Sequence, residues 1–146
     1  MSVDPQRDYF LDTNILVYAY DSTAGRKHTL AMQLVEGCWE NENGCLSLQV
    51  LQEFYVTITR KIMLPLEYQT ARQIIADLAH WRVHAPGTDD VLQALDLQHS
   101  HQLAFWDAML LQSAICLGCK ELISEDLSHG QLYGSVRVVN PFREDN

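Results

Sequence analysis

Four acidic residues of this sequence occupy positions where a carboxylate can take part in chemistry. Asp12 and Asp126 each follow a short apolar run that is typical of a buried strand. Asp107 falls one turn into an apolar helix pattern, and Glu53 lies on the polar side of another. Each acid also has an ordinary structural interpretation, because acids cap helices, interact with helix N-termini or face solvent.

The ends of the two predicted strands indicate which chemistry this would be. If the strands before Asp12 and Asp126 are neighbours in a parallel sheet, their carboxylates lie close together. Two carboxylates about 5 Å apart repel each other by roughly 3 kcal/mol at an effective dielectric constant near 20. A divalent cation compensates this repulsion, and an all-oxygen ligand set favours Mg²⁺ or Mn²⁺ over zinc. Such an ion activates water, which makes hydrolysis of a phosphodiester the expected reaction.

The elements that must hold these acids alternate between strand and helix. Strands are predicted at 9–11, 45–48, 81–85, 121–124 and 136–139, and helices at 26–40, 49–62, 88–100 and 103–117. Pro65 is expected to open one more helix, and Thr88 to cap the helix at 88–100. The apolar face of the last helix is expected to consist of Leu103, Trp106, Leu110, Ala114 and Leu117. The alternation predicts an α/β fold with helices on both faces of a parallel sheet.

Composition narrows the class of protein. The 146 residues, 47% of them apolar, predict a single domain spanning 1–146 with a sizeable core. The net charge of −9 argues against nucleic-acid binding through a broad basic face, but clustered metal-binding acids leave a nuclease possible. No apolar stretch approaches the roughly 20 residues of a membrane span, and the N-terminus lacks an apolar signal region. A reduced, cytoplasmic location is therefore expected.

Two of the four cysteines offer an alternative metal site. Cys116 and Cys119 have the spacing of a zinc or redox pair, but a zinc site would need two more ligands nearby. Gly118 between them is expected to end a helix. Both cysteines are therefore interpreted as small buried residues.

Several segments together resemble a known family. They are FLDTN at 10–14, TRKI at 59–62 after the Glu53 helix, FWDAMLLQSA at 105–114, ISEDLSHGQ at 123–131 and VRVVNPF at 136–142. These segments resemble a PIN domain and, more closely, the VapC-type toxin ribonucleases of bacterial toxin–antitoxin pairs. The resemblance implies a PIN-like three-layer α/β/α fold with a central parallel sheet of about five strands. It also implies a metal-dependent endoribonuclease that cuts RNA and is inhibited by a cognate antitoxin.

The resemblance carries over residue by residue at the acids. Asp12, Glu53, Asp107 and Asp126 match the acidic quartet of the family, which implies that they are catalytic and bind Mg²⁺ or Mn²⁺. Glu125 is adjacent to the quartet, but neighbouring strand residues point to opposite faces, so only one of the two acids should face the metal.

Polar neighbours of the quartet have implied roles as well. Thr13, Asn14 and Ser124 match residues that orient the acids. Arg60 and Lys61 are candidate contacts for RNA phosphates, at the end of a polar strip that consists of Gln49, Glu53, Thr57 and Arg60. His129 is the only histidine expected near the site.

Two protein partners are expected. An acidic cleft would accept a basic segment of an antitoxin, with an arginine among the four carboxylates. Outward-facing aromatic residues such as Tyr68 and Trp81 suggest a homodimer, as in the family.

Other functions remain open on the sequence. One is a PIN nuclease for RNA processing or DNA cleavage without an antitoxin, and another is a catalytically silent scaffold that binds a partner. A phosphatase with an aspartate nucleophile would need a second Asp two residues after Asp12, where this chain has Asn14.

Overall fold

The structure is a computed structural model that describes residues 1–143. Its elements, in chain order, are β1 Tyr9–Leu11, α1 Thr13–Tyr20, α2 Arg26–Asn41, β2 Gly44–Ser47, α3 Leu48–Arg60, α4 Tyr68–Leu78, β3 Arg82–His84, α5 Thr88–His101, α6 Phe105–Cys116, β4 Glu121–Ile123, β5 Leu132–Tyr133 and β6 Val136–Val139. Among these residues, no helix is both long and apolar enough to cross a bilayer.

The strands form one sheet in the order β3-β2-β1-β4-β6-β5. The first five of these run parallel, and β5 pairs antiparallel with β6. The predicted α/β fold with a central parallel sheet of about five strands is therefore confirmed. The added edge strand β5 has only two residues, which is too short to leave a periodic pattern in the sequence.

Strand β1 lies in the middle of this sheet, and its residues are all buried. This burial on both faces explains why the strand is a continuous apolar run rather than an alternating one. Leu11 is in register with Ile123 of the neighbouring β4. The residues that follow these two strands therefore emerge side by side at the carboxyl edge of the sheet.

Two predicted helix starts were wrong. Helix α4 begins at Tyr68 rather than at Pro65, because Leu66 N–H donates to the carbonyl oxygen of Ile58 and holds the segment extended against the end of α3. Thr88 is the first residue of α5 and not its cap. Gly87 occupies the cap position there, and its N–H donates to the Asp90 carboxylate at 2.8 Å.

Burial also differs from prediction at three residues. Trp106 is 63% exposed instead of packing in the face predicted for α6. Trp81 is half-buried, with its ring 5.3 Å from that of Trp39, whereas Tyr68 is 60% exposed as expected. Cys119 is buried as predicted, but Cys116 is exposed at the end of α6.

Candidate active site

A cleft of about 310 Å³ opens at the carboxyl edge of the sheet, beside the ends of β1 and β4. Its lining includes all four acids of the predicted quartet, Asp12, Glu53, Asp107 and Asp126. Four separate segments deliver them: Asp12 caps α1, Glu53 lies on α3, Asp107 is in the first turn of α6, and Asp126 follows β4. Residues far apart in the chain thus meet in one cavity.

Asp12 is held in one orientation by its neighbours. It is 8% exposed, and its Oδ1 accepts a hydrogen bond of 2.6 Å from Thr13 N–H, so it does cap α1 as well as line the cleft. Its Oδ2 accepts a hydrogen bond of 2.7 Å from the Oγ of Ser124, which is fully buried. Both carboxylate oxygens are therefore fixed by groups that themselves cannot move freely.

Burial makes the charge of Asp12 costly. It raises the pKa of this carboxyl from 3.8 to about 6, although the hydrogen bonds from Ser124 and Thr13 oppose the shift. The negative charges of Asp126 and Glu53 raise it further. The pKa of Asp107 is raised for the same reasons, first by burial and then by Asp126 and Glu53. The cleft thus disfavours the charged form of two of its own acids.

The other two acids are positioned by hydrogen bonds across the cleft. Asn14 Nδ2 donates to Asp126 Oδ2 at 3.0 Å and lies 3.5 Å from Asp12 Oδ2, so one amide bridges two carboxylates. Thr13 Oγ1 donates to Glu53 Oε2 at 3.2 Å, and Gln49 Nε2 donates to Glu53 Oε1 at 2.8 Å.

Glu125 has a different environment from the adjacent Asp126. Its carboxylate forms a salt bridge with Lys27 and accepts a hydrogen bond of 2.6 Å from the Tyr18 hydroxyl. Burial raises the pKa of Glu125, but the hydrogen bonds from Lys27 and Tyr18 outweigh it and leave the pKa below its ordinary value. Only Asp126 of the pair lines the cleft.

Within residues 1–143, none of the salt bridges involves an acid of the quartet. No three of its carboxylates bring oxygens within 4.8 Å of one another in that range. This spacing fits a hydrated Mg²⁺, which keeps several waters and binds only one or two carboxylates directly, better than it fits a compact zinc site. The donor chemistry and the lack of a compensating side chain both suit a hard divalent cation.

Four predicted neighbours are not part of the cleft lining: Ser124, Arg60, Lys61 and His129. Ser124 is fully buried and donates to Asp12 instead. Arg60 ends α3 and Lys61 follows it, both exposed and beyond Thr57, the last residue of the polar strip that lines the cleft. His129 Nδ1 instead accepts a hydrogen bond from Asn140 N–H.

Four lining residues were not predicted at the site: Val17, Tyr18, Trp106 and Leu110. The helical spacing that Trp106 shares with Leu110 predicts a position in the core. Its position next to Asp107 in the first turn of α6 is the signal that would have placed it at the cleft.

Comparisons with known proteins identify the fold. The sequence model described as "PIN domain" matches residues 9–134. A comparison with curated proteins gives no match. A toxin–antitoxin complex from Klebsiella pneumoniae has a chain with 22% identity and a TM-score of 0.69, over 92% of this chain and 98% of that one.

Two further solved structures are similar. The VapC20 toxin of Mycobacterium tuberculosis, described as cleaving the sarcin–ricin loop, shares 18% identity at a TM-score of 0.59, over 79% of this chain and 87% of that one. VapBC2 from Rickettsia felis, bound to a fragment of its promoter DNA, shares 16% identity at a TM-score of 0.60, over 89% and 96%. At these identities the similarity establishes a common fold.

Proposed function

Since the chain belongs to the PIN domain family, we propose that it is a Mg²⁺- or Mn²⁺-dependent endoribonuclease that hydrolyses RNA phosphodiester bonds as the toxin of a toxin–antitoxin pair. The observation that carries this proposal is the cleft itself, in which four carboxylates converge while the salt bridges of residues 1–143 involve other acids. Burial and the repulsion among these acids raise the pKa of Asp12 and Asp107, and a divalent cation would compensate the repulsion. We further propose that the protein acts as a single domain, 1–146, in the cytoplasm.

Asp12, Glu53, Asp107 and Asp126 would hold the metal, one or two of them directly and the others through its waters. When bound, a divalent ion lowers the pKa of water and neutralises charge on the leaving oxygen of a phosphodiester. The protein's part is to present the ligands. Asp12 is already fixed for this by Thr13 and Ser124.

The polar neighbours would orient two of the other acids. Asn14 donates to Asp126, and Thr13 and Gln49 donate to Glu53. These hydrogen bonds restrict rotation of side chains that would otherwise turn away from one another.

RNA would approach over the exposed rim of the cleft. The indole of Trp106 is 63% exposed beside Asp107 and offers a face on which a base can stack. Arg60 and Lys61, one turn beyond Thr57, are suited to contact phosphates farther along the strand. This small basic rim is compatible with a net charge of −9.

The decisive experiment is a cleavage assay on RNA and DNA with the purified protein. RNA cleavage should require Mg²⁺ or Mn²⁺ and should stop on addition of EDTA. Asp12→Asn should be inactive, whereas Glu125→Gln, which removes a charge next to the quartet but outside the cleft, should remain active. Cleavage that persists in EDTA would contradict the proposal, and so would full activity of Asp12→Asn.

An antitoxin would inhibit the enzyme by inserting a cationic side chain, best an arginine, among the four acids. A guanidinium is planar, permanently charged and able to bridge two carboxylates. The solved toxin–antitoxin complexes of similar fold support a protein partner of this kind.

Titration with the cognate antitoxin tests the contact. Glu53→Gln should weaken binding by about 1–3 kcal/mol, and raised Mg²⁺ should weaken it in the wild type. Affinity that responds to neither change would place the inhibitory contact outside the cleft.

We also propose a homodimer. Met63, Leu64 and Tyr68, between α3 and the start of α4, are 79%, 62% and 60% exposed. Apolar side chains clustered on a surface commonly mark an interface. Light scattering at micromolar concentration should give twice the chain mass of 16.7 kDa, and a monomeric mass would exclude the dimer.

A further inference from the structure

A second group of potential metal ligands lies where β3, α5 and α6 meet. His84 is the last residue of β3, Asp90 is in the first turn of α5, and Cys116 is the last residue of α6. One ligand atom from each lies within 4.8 Å of the other two. Across residues 1–143 this is the only set of three or more His, Cys, Asp or Glu side chains with that spacing.

This group is separate from the acidic cleft. None of its three residues lines the cleft. Cys116 lies nine residues after Asp107 on α6, which corresponds to about 13 Å along the helix.

Ordinary structural roles account for only part of the group. Asp90 Oδ2 accepts the Gly87 N–H and lies 3.4 Å from His84 Nε2, so helix capping and a polar contact between these two side chains explain two of the three residues. Neither role explains why the exposed thiol of Cys116, which lies 26 residues after Asp90 on another helix, is placed next to these two side chains. Exposed free thiols are uncommon because cysteine is usually buried.

The distances match tetrahedral zinc. Two donor atoms that each lie about 2.1 Å from a tetrahedral ion are about 3.4 Å apart. His84 Nε2 and Asp90 Oδ2 have this separation. The third donor, the Cys116 sulfur, lies within reach of both.

Buried polar side chains of α6 hold two of these ligands in place. His84 Nδ1 lies 2.8 Å from the Oγ of Ser113, so a ring that carries its proton on Nδ1 directs the Nε2 lone pair towards Asp90. Gln112 Nε2 donates to Asp90 Oδ1 at 3.2 Å. Ser113 and Gln112 are 2% and 4% exposed. Zinc-binding histidines and carboxylates typically have such supporting hydrogen bonds.

We propose that His84, Asp90 and Cys116 form a zinc site, distinct from the acidic cleft, with its fourth position open to water or an external ligand. Nitrogen and thiolate donors select Zn²⁺ over the Mg²⁺ that suits the carboxylate cleft. A bound ion would tie the ends of three elements together, one of which also carries Asp107. It would therefore stabilise the fold in a zinc-dependent manner.

Titration with Co²⁺ as a spectroscopic probe separates this site from the cleft. A thiolate ligand gives a sulfur-to-cobalt charge-transfer band, and the cleft contains no sulfur. The wild-type protein in excess Mg²⁺ should develop this band up to one equivalent of Co²⁺, and Zn²⁺ should remove it. Cys116→Ser should show no band, and Ser113→Ala should bind Co²⁺ about 10–100-fold more weakly. His80→Asn, which alters an exposed histidine outside the group, should behave as wild type.

Thermal unfolding provides the second measurement. Zn²⁺ should raise the melting temperature of the wild type but not that of Cys116→Ser, while the two should melt alike in EDTA because the thiol is exposed. The proposal is overturned if the wild type gives no charge-transfer band. It is also overturned if the band survives in Cys116→Ser, since the sulfur would then belong to another cysteine. Neither outcome depends on nuclease activity.

Discussion

Glu125 and Asp126 are adjacent in the chain, yet they belong to regions with opposite electrostatics. The Glu125 carboxylate contacts Lys27 of α2 and the Tyr18 hydroxyl of α1, whose hydrogen bonds lower its pKa. Asp126 faces the cleft, where its nearest polar partner is the neutral amide of Asn14 and its charge raises the pKa of Asp12 and Asp107.

The difference shows how this fold separates acids that support structure from acids kept for a ligand. The charge of an acid with a cationic partner is compensated within the folded chain. Neutralising that acid removes only the modest stabilisation that the ion pair provides. An acid without one lowers the stability of the folded state until a cation arrives. Of the two acids, Asp126, which has no cationic partner among residues 1–143, is therefore expected to be the functional one.

The largest expected effect is the difference in activity between neutralising Asp126 and neutralising Glu125. Asp126→Asn should lower RNA cleavage by about 10²–10³-fold, the range found when a group that stabilises reaction charge is removed. Glu125→Gln should leave the cleavage rate within about twofold and cost at most about 1 kcal/mol of stability, because Lys27 is partly exposed. Rates from initial cleavage velocities and free energies from urea unfolding provide both numbers. Equal losses of activity would show that the two acids are not functionally distinct.

The second effect concerns stability without metal. The pKa of the Asp12 carboxyl is about 6 in the folded protein, whereas its ordinary value is 3.8. The folded state therefore binds the proton of this carboxyl more tightly than the unfolded state does. The free energy of unfolding in EDTA should therefore fall as the pH rises from about 4 to about 6, by a contribution on the order of 3 kcal/mol. Asp12→Asn should remove this contribution and be more stable than wild type at pH 7. Parallel pH profiles of the two proteins would contradict it.

The smallest effect is expected at residues that orient the acids. Ser124→Ala removes the hydrogen bond to Asp12 Oδ2, and Asn14→Ala removes the bridge to Asp126. Each should lower cleavage by about 10–100-fold at saturating Mg²⁺. Thr23→Ala, whose hydroxyl donates to Asp21 on the surface, is a matched control and should not change the rate. Activity of Ser124→Ala equal to wild type would confine its role to packing.

Sequence patterns predicted those parts of the molecule that depend on local chemistry. The apolar run before Asp12 predicted β1, and strand ends followed by acids indicated which edge of the sheet carries the cleft. The prediction that Glu53 and Asp107 lie at the site rested on family resemblance. The periodicity of a helix indicates which of its sides is polar, but not what that side contacts.

Features that depend on tertiary contacts could not be predicted. Trp106 has the spacing of a core residue, and only the placement of α6 leaves it at the cleft. Cys116 and Cys119 appear as a pair in the sequence, but the turn at Gly118, with φ of 74°, separates them. The contact of Cys116 with His84 and Asp90 joins residues more than 25 positions apart, which no local pattern encodes.

The register between β1 and β4 has a consequence for biosynthesis. The hydrogen bonds from Ser124 to Asp12 and from Asn14 to Asp126 each span 112 residues of chain. The ribosome synthesises the chain from its N-terminus. Asp12 and Asn14 therefore lack their partners Ser124 and Asp126 until β4 has left the exit tunnel. Contacts of such long range form late in folding. A nascent chain of this protein therefore carries an incomplete cleft until residues 121–126 have been synthesised and β4 has paired with β1.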